Sequence, residues 1–189
     1  MEIPAKKYNV ICADPPWRYD NSGPQGGVEY QYSTLALPEI KALPVSEIAG
    51  DPCLLFIWVT FPMLREGLAV IEAWGFAYRT LGFSWIKLNK NDRQPFFGIG
   101  YYTKSNAEVC LLATRGAAHS LIGDNSVSSC ILAPHGRHSA KPQEARYRIE
   151  KLVGDVPKIE LFAREKIPGW DCWGDEVEEH TPLFAAKSR

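Results

Sequence analysis

The sequence predicts an α/β domain: a largely parallel sheet with helices on both faces. Three observations predict it. Short apolar runs alternate with amphipathic helical stretches along the chain. The longest run, Cys53 to Val59, has no polar alternation, as expected of a strand buried on both sides. At 189 residues, with no internal repeat, the chain has the size of one domain with a sizeable core. The expected limits are 1–178 for the domain and 179–189 for a frayed tail.

The elements follow in order. Tyr8 to Ala13 is a short strand stopped by Asp14-Pro15-Pro16, because neither proline can donate to a ladder. Residues 18 to 37 are polar, glycine-bearing and aromatic, a long loop. Leu37-Pro38-Glu39-Ile40 opens a short helix that ends before Pro44, and 53–59 is the next strand. After Phe61-Pro62, Met63, Leu64, Leu68, Ile71 and Trp74 fall at helical spacings, and Gly75 suits the stop. Phe76 to Leu88 reads as a strand kinked at Gly82, and Asn89 to Ser105 as a second long loop. Glu108 to Thr114 is a strand, and 123–138 a loop around an apolar patch. Pro142 opens a helix running through Leu152, with Ala145, Ile149, Leu152 and Val153 inward. Lys158 to Ala163 is the last predicted strand.

Bulk properties exclude several classes. A net charge of −1 leaves no global electrostatic footprint for nucleic acid, so any such contact must be local. The longest apolar run is far too short to span a bilayer, and no targeting signal is visible. Five cysteines without a CxxC pair fit free thiols in a reducing cytoplasm, most of them buried. Cys130, His135 and His138 are too loosely spaced to predict a metal site. Six tryptophans suit either a Trp-rich core or loops that stack on planar ligands.

In open α/β sheets ligands bind outside the carboxyl ends of strands. The turn Asp14-Pro15-Pro16-Trp17 follows the first strand directly. Two prolines remove backbone donors and stiffen their predecessors, so the corner offers a carboxylate and carbonyls as a rigid set of acceptors. An amino group on a heteroaromatic ring needs such a set, because its lone pair is delocalised into the ring. If the Asp14 carboxylate and the Pro15 carbonyl each take one N–H, the nitrogen can pyramidalise toward a methyl donor, with little reorganisation at the transition state. Trp17 would offer a stacking face; the competing reading is a proline-rich turn with Trp17 in the core.

This corner resembles the DPPW motif of amino-methyltransferases, and specifically the MT-A70 family. The likeness continues through Tyr32-Ser33-Thr34, Phe56 to Thr60, Trp85-Ile86-Lys87, Gly98 to Lys104, His138 to Pro142, Lys158 to Arg164 and Gly169 to Glu176. Several matched blocks in the right order are far more specific than any one alone. The resemblance implies a single Rossmann-like class I methyltransferase domain in circularly permuted order, with the first and last strands adjacent and Asp14 near Glu160. It implies S-adenosylmethionine as cofactor, held by the blocks from His138 to Glu176. By that carry-over Lys141 takes the methionine carboxylate, Arg164 and Asp175 the ribose hydroxyls, and Glu176 the cofactor adenine, with Glu160, Phe162, Trp173 and Gly174 completing the site. Two departures stand out: the family's mRNA-modifying branch has Asn-Gln where this chain has Asp175-Glu176, and only thirteen residues precede Asp14. Gln94 to Gly100 imitates a glycine-rich cofactor loop, but the polar residues before it cannot be the buried strand such a turn must leave. A substrate loop is expected there.

The expected reaction is direct in-line methyl transfer to N6 of adenine, without a metal or covalent intermediate. Asp14, Pro15, Pro16 and Trp17 form the catalytic corner; Tyr32, Ser33, Trp58 and Lys104 are the candidate substrate residues. The target base must flip out or be single-stranded. Lys87, Lys90, Arg93, Tyr101, Tyr102 and Lys104 are candidates for strand contact. A compact chain favours DNA over RNA, a cytoplasmic location, and specificity from loops, a homodimer or a second subunit. The alternatives are the same reaction on RNA, a catalytically silent partner subunit, and an N4-cytosine methyltransferase.

Overall fold

The computed structural model describes residues 6–18, 34–98, 100, 102–134, 136 and 140–177. Among them, one sheet holds seven strands: β1 Tyr8–Ala13, β2 Ala49–Val59, β3 Ala77–Leu88, β4 Ala107–Arg115, β5 Cys130–Pro134, β6 Lys158–Leu161 and β7 Asp171–Trp173. The helices are α1 Leu37–Lys41, α2 Val45–Ile48, α3 Leu64–Ala73 and α4 Gln143–Val153. Spatial order is β5-β3-β4-β2-β1-β6-β7. Only β4 runs against its neighbours, antiparallel to both β2 and β3; the other pairings are parallel. The sheet is therefore largely parallel, as expected.

The side-chain period of two splits the core between the two faces. Ile11, Ala13, Leu55, Ile57, Val59, Val109, Leu111, Ile159 and Leu161 point to one face, with Ile40 of α1 and Val70 and Ile71 of α3. Val10, Cys12, Leu54, Phe56, Trp58 and Cys110 point to the other, with Ala145, Ile149 and Val153 of α4. Tyr8 breaks parity with Val10 because the β1–β2 register slips between them. Helices on both faces follow directly.

The first sequence strand lies beside β6, with Cys12 opposite Glu160 and Ala13 opposite Leu161. The expected adjacency of the first strand and the strand at 158–163 holds, although β7, beyond β6 on the sheet edge, is the last strand described. Gly82 coincides with a register shift between Leu81 and Phe83, the kink read from the sequence. Gly75 ends α3's turn at φ 79°, a conformation that favours glycine.

Several elements differ from expectation. Residues 130–134, read as loop, form β5 on the sheet edge. Its pattern is hard to read because Leu132 is 59% exposed while Ile131 is buried. β7 is three residues long and α2 four, too short for periodicity to register. Pro142 is the N-cap of α4 rather than its first helical residue, and Leu152 is only partly covered. The last-predicted strand stops at Leu161, where Phe162 takes φ 60°. Tyr32, Ser33, Tyr101, His135, His138 and the tail 179–189 lie outside the described residues. Among those described, no helix is long and apolar enough to cross a membrane.

Candidate active site

Six strands share a direction, so their carboxyl ends meet at one edge of the sheet. β4 runs the other way and brings its beginning there. Asp14 leaves β1 at this edge, Lys87 is the last residue but one of β3, Phe162 leaves β6, and Glu108 is the second residue of β4. Lys141 arrives in the segment just before α4. Even-numbered residues of β2 and β4 face α4, so Glu108 and Trp58 share the side that Lys141 approaches.

The result is a chain of four charges. Lys141 Nζ stands 2.8 Å from Asp14 Oδ1 and 3.2 Å from Glu108 Oε2, and Glu108 in turn accepts from Lys87. Two cations balance two carboxylates. Lys141 also lies over the Trp58 ring, 5.9 Å from its centroid, and Lys87 over Trp85 at 5.2 Å. Burial would lower the Lys141 ammonium, but the Asp14 and Glu108 carboxylates raise it above its ordinary value. Burial would raise Glu108, yet Lys141 and Lys87 bring it below the usual carboxylate range. Glu108 and Lys141 therefore stay charged at neutral pH.

Pro15 is buried and Pro16 half-buried. The Pro15 carbonyl accepts from Trp17 N–H at 2.8 Å, and the Pro16 carbonyl from Leu35 N–H at 2.9 Å. Each carbonyl oxygen has two lone pairs, so Pro15 retains one acceptor site. Trp17 is 5% exposed, packed in the core, with its indole N–H donated to the Trp58 carbonyl. The ring expected to stack on a base is thus a prop beneath the corner, and the core reading describes it. Trp58 is also buried, edge-on to Trp85. Lys104 is exposed. Lys87, expected at the nucleic-acid strand, is instead built into the charge chain.

A cavity of about 210 Å³ opens beside Asp14 and Lys141 and continues past Arg146, Glu160, Phe162, Arg164, Glu165 and Glu176. Asp14 of the corner and five of the expected cofactor residues, Lys141, Glu160, Phe162, Arg164 and Glu176, therefore share one space. Glu160 holds Arg146 of α4 bidentately, Nε and Nη2 donating at 2.8 and 2.9 Å. Phe162, at the left-handed turn out of β6, costs on the order of 1–2 kcal/mol in backbone strain. Its ring is held edge-on by Trp173, 5.6 Å between centroids, and Ala163 N–H donates to the Trp173 carbonyl at 3.0 Å. Gly174 lies so close to this turn that a Cβ would come within 2.2 Å of the Ala163 oxygen. Arg164 and Glu176 pair loosely at 3.8 Å, and Asp175 is exposed beside them.

This donor set fits S-adenosylmethionine. Guanidinium and ammonium groups suit its carboxylate, acidic side chains its ammonium and ribose hydroxyls, and Phe162 a flat apolar surface for its adenine. Sequence reasoning missed Glu108 and Arg146. A single acid opening an apolar strand at the ligand edge is the signal for Glu108; for Arg146 it is a cation one residue from the buried Ala145 face of α4.

The MT-A70 family model matches residues 8–176. The chain is 34% identical over 197 residues to the type II methyltransferase M.MunI of Mycoplasma sp, covering 95% of this chain and 82% of that protein. It is 30% identical over 177 residues to the human N(6)-adenosine-methyltransferase catalytic subunit METTL3, covering 91% of this chain and 28% of that protein. A probable N(6)-adenosine-methyltransferase MT-A70-like protein of Oryza sativa is 30% identical over 90% of this chain, with 23% of its own length covered. The chain spans about a quarter of these two eukaryotic relatives.

Proposed function

This chain belongs to the MT-A70 family, and from that premise we propose that it methylates N6 of adenine in DNA with S-adenosylmethionine as methyl donor. The observation that carries the reading is the common cavity of Asp14 with Arg146, Glu160, Phe162, Arg164 and Glu176. Near-full-length likeness to a type II methyltransferase, against a quarter-length match to N(6)-adenosine methyltransferases, favours DNA over RNA.

When bound, S-adenosylmethionine supplies a methyl group on a sulfonium, open to attack by a nitrogen lone pair. Arg164 and Asp175 would hold its ribose, Glu176 its adenine, and Phe162, Trp173 and Gly174 the wall behind. The Asp14 carboxylate and the spare lone pair of the Pro15 carbonyl accept the two N6 hydrogens. That grip pyramidalises the nitrogen and aims its lone pair. Lys141 and Glu108 hold Asp14 in orientation before the base arrives, so little reorganisation remains for the transition state. As nitrogen gains the methyl it becomes strongly acidic, and Asp14 offsets its positive charge until the proton leaves to water. No strong general base is required.

In a duplex N6 is out of reach, so the base enters flipped or from a single strand. The exposed Lys104 and Tyr102, with Tyr32 and Ser33, are the proposed strand and base contacts. The reading carries a cytoplasmic location with it.

Nucleoside mass spectrometry after incubation with labelled cofactor and matched DNA and RNA oligonucleotides tests the proposal. Labelled N6-methyldeoxyadenosine is the expected product. Label only in RNA would refute the DNA assignment, and N4-methylcytosine would refute adenine.

A further inference from the structure

A pyramidalised amino nitrogen directs its lone pair out of the plane of the base. One face of the target adenine therefore turns to the methyl donor, and the opposite face is left for stacking. Trp17 and Trp58 cannot supply that stack, because they are 5% and 2% exposed and neither offers an open ring face.

Sheet order points to another ring. β1 lies between β6 and β2. The cavity runs from Asp14 to the β6 side, past Glu160 and Phe162. On the other side Ala13 pairs with Ile57, which sets Asp14 level with Trp58 of β2. Phe61 comes three residues later at the same edge and is 56% exposed. Adjacent strands lie about 5 Å apart and each extended residue adds about 3.3 Å, so the Phe61 and Asp14 backbones stand on the order of 11 Å apart. A purine gripped at Asp14 and a phenyl side chain together bridge that gap. The exposed rings Phe97 and Tyr102 lie between β3 and β4, which are farther from β1 than β2 is.

Phe61 is also held in place. It opens a single 3₁₀ turn, Phe61–Met63, in which Pro62 fixes φ and Met63 N–H donates to the Thr60 carbonyl at 2.9 Å. Met63 packs on the core cluster that contains Trp17, and the Trp17 indole N–H is donated to the Trp58 carbonyl at 3.1 Å. Both ends of this segment are thus tied to the catalytic corner. A solvent-facing ring on a fixed turn loses little freedom when a base stacks on it.

We propose that Phe61 stacks on the target adenine, on the face turned away from the methyl donor, and so holds the base whose N6 Asp14 grips. This rests on the methyltransferase reading above and names a base-binding residue within it.

Steady-state methyl transfer to single-stranded DNA containing the adenine that wild type labels tests it. Phe61→Leu keeps apolar bulk but removes the ring, and Phe61→Trp restores one. Tyr78→Leu is the control, since Tyr78 is an exposed ring near the start of β3, at the opposite edge of the sheet. In Phe61→Leu the KM for DNA should rise about 5- to 100-fold, the range for one base–aromatic stack. Its kcat should stay within about threefold, because a stack made equally before and in the transition state is read in KM. Phe61→Trp and Tyr78→Leu should keep both constants within about threefold of wild type. Calorimetric affinity for S-adenosylhomocysteine should hold in all three, and melting temperature within about 2 °C. An unchanged KM in Phe61→Leu overturns the inference. So does an equal rise in Phe61→Trp, or a parallel loss of S-adenosylhomocysteine affinity that assigns Phe61 to the fold. A wild type that labels no adenine in DNA or RNA sinks the methyltransferase reading, and this inference with it. Labelling of RNA alone sinks only the DNA assignment, and the same variants are then judged by the same criteria on that RNA.

Discussion

Replacing Glu108 by Gln removes one of the two negative charges that hold Lys141, at constant side-chain size and with one acceptor oxygen retained. Glu108 accepts from Lys87 and stands 3.2 Å from Lys141 Nζ, with 8% of its side chain exposed. At an effective dielectric of about 20, attraction over that distance is about 5 kcal/mol. Desolvation offsets much of it, and removing one member of a buried pair costs on the order of 3–5 kcal/mol. Gln still accepts a hydrogen bond, so a loss of about 2–3 kcal/mol is expected at pH 7. The pH dependence has a definite sign. Burial raises the Glu108 carboxyl, but Lys141 and Lys87 outweigh it and leave the folded-state value below the ordinary one. Its contribution is therefore complete above the unfolded value of about 4.3 and disappears as pH falls through the lower folded value. Urea denaturation of both proteins, from pH 7 stepwise into acid, should give stability curves that converge. Turnover of the variant should fall about tenfold or more, because Asp14 loses part of its orientation, while the dissociation constant for S-adenosylhomocysteine stays within about threefold. A stability gap of constant size down to the lowest pH, or a variant more stable than wild type at neutrality, would refute the charge-chain argument.

Asp14→Ala should fold and bind S-adenosylhomocysteine, yet lose methyl transfer by about 10²- to 10³-fold in single-turnover assays, the scale for one lost electrostatic contact; near-normal transfer would remove Asp14 from the chemistry. Gly174→Ala would bring a Cβ within 2.2 Å of the Ala163 oxygen and 2.6 Å of its nitrogen. The turn must shift, at about 1–3 kcal/mol, with weaker cofactor binding by calorimetry. Thiol titration under native conditions should find Cys130 reacting quickly, since it is exposed while Cys12, Cys53, Cys110 and Cys172 are buried and burial pushes Cys53 up to about 12. All five should react once the chain is unfolded.

Elements with strong local signals were legible. A proline pair marks the end of β1, and helical spacing with a terminal glycine defines α3. Alternation along β6, closed by a corner, reads clearly too. The place of Asp14 at the ligand edge was legible for the same reason, since the proline pair fixes where β1 stops. What sequence left hidden depends on partners far along the chain. Glu108 looks like the polar start of an apolar strand until Lys87 and Lys141 are brought to it. Trp17 could not be assigned between ligand face and core, because that depends on where the Trp58 carbonyl lies. Edge strands β5 and β7 carry little pattern, since one of their sides is never covered by a neighbouring strand. The pairing of Lys141 with Asp14 spans 127 positions, and no local rule anticipates it.

β1 and β6 lie side by side although β2, β3, β4 and β5 all come between them in the chain. During synthesis Asp14 precedes β6 by the length of four strands, and its neighbour across the sheet does not exist until residue 160 has been translated. A partly made chain therefore carries the Asp14 corner without the β6 side of its cavity. The cavity beside Asp14 is completed in a single step, when β6 pairs with β1.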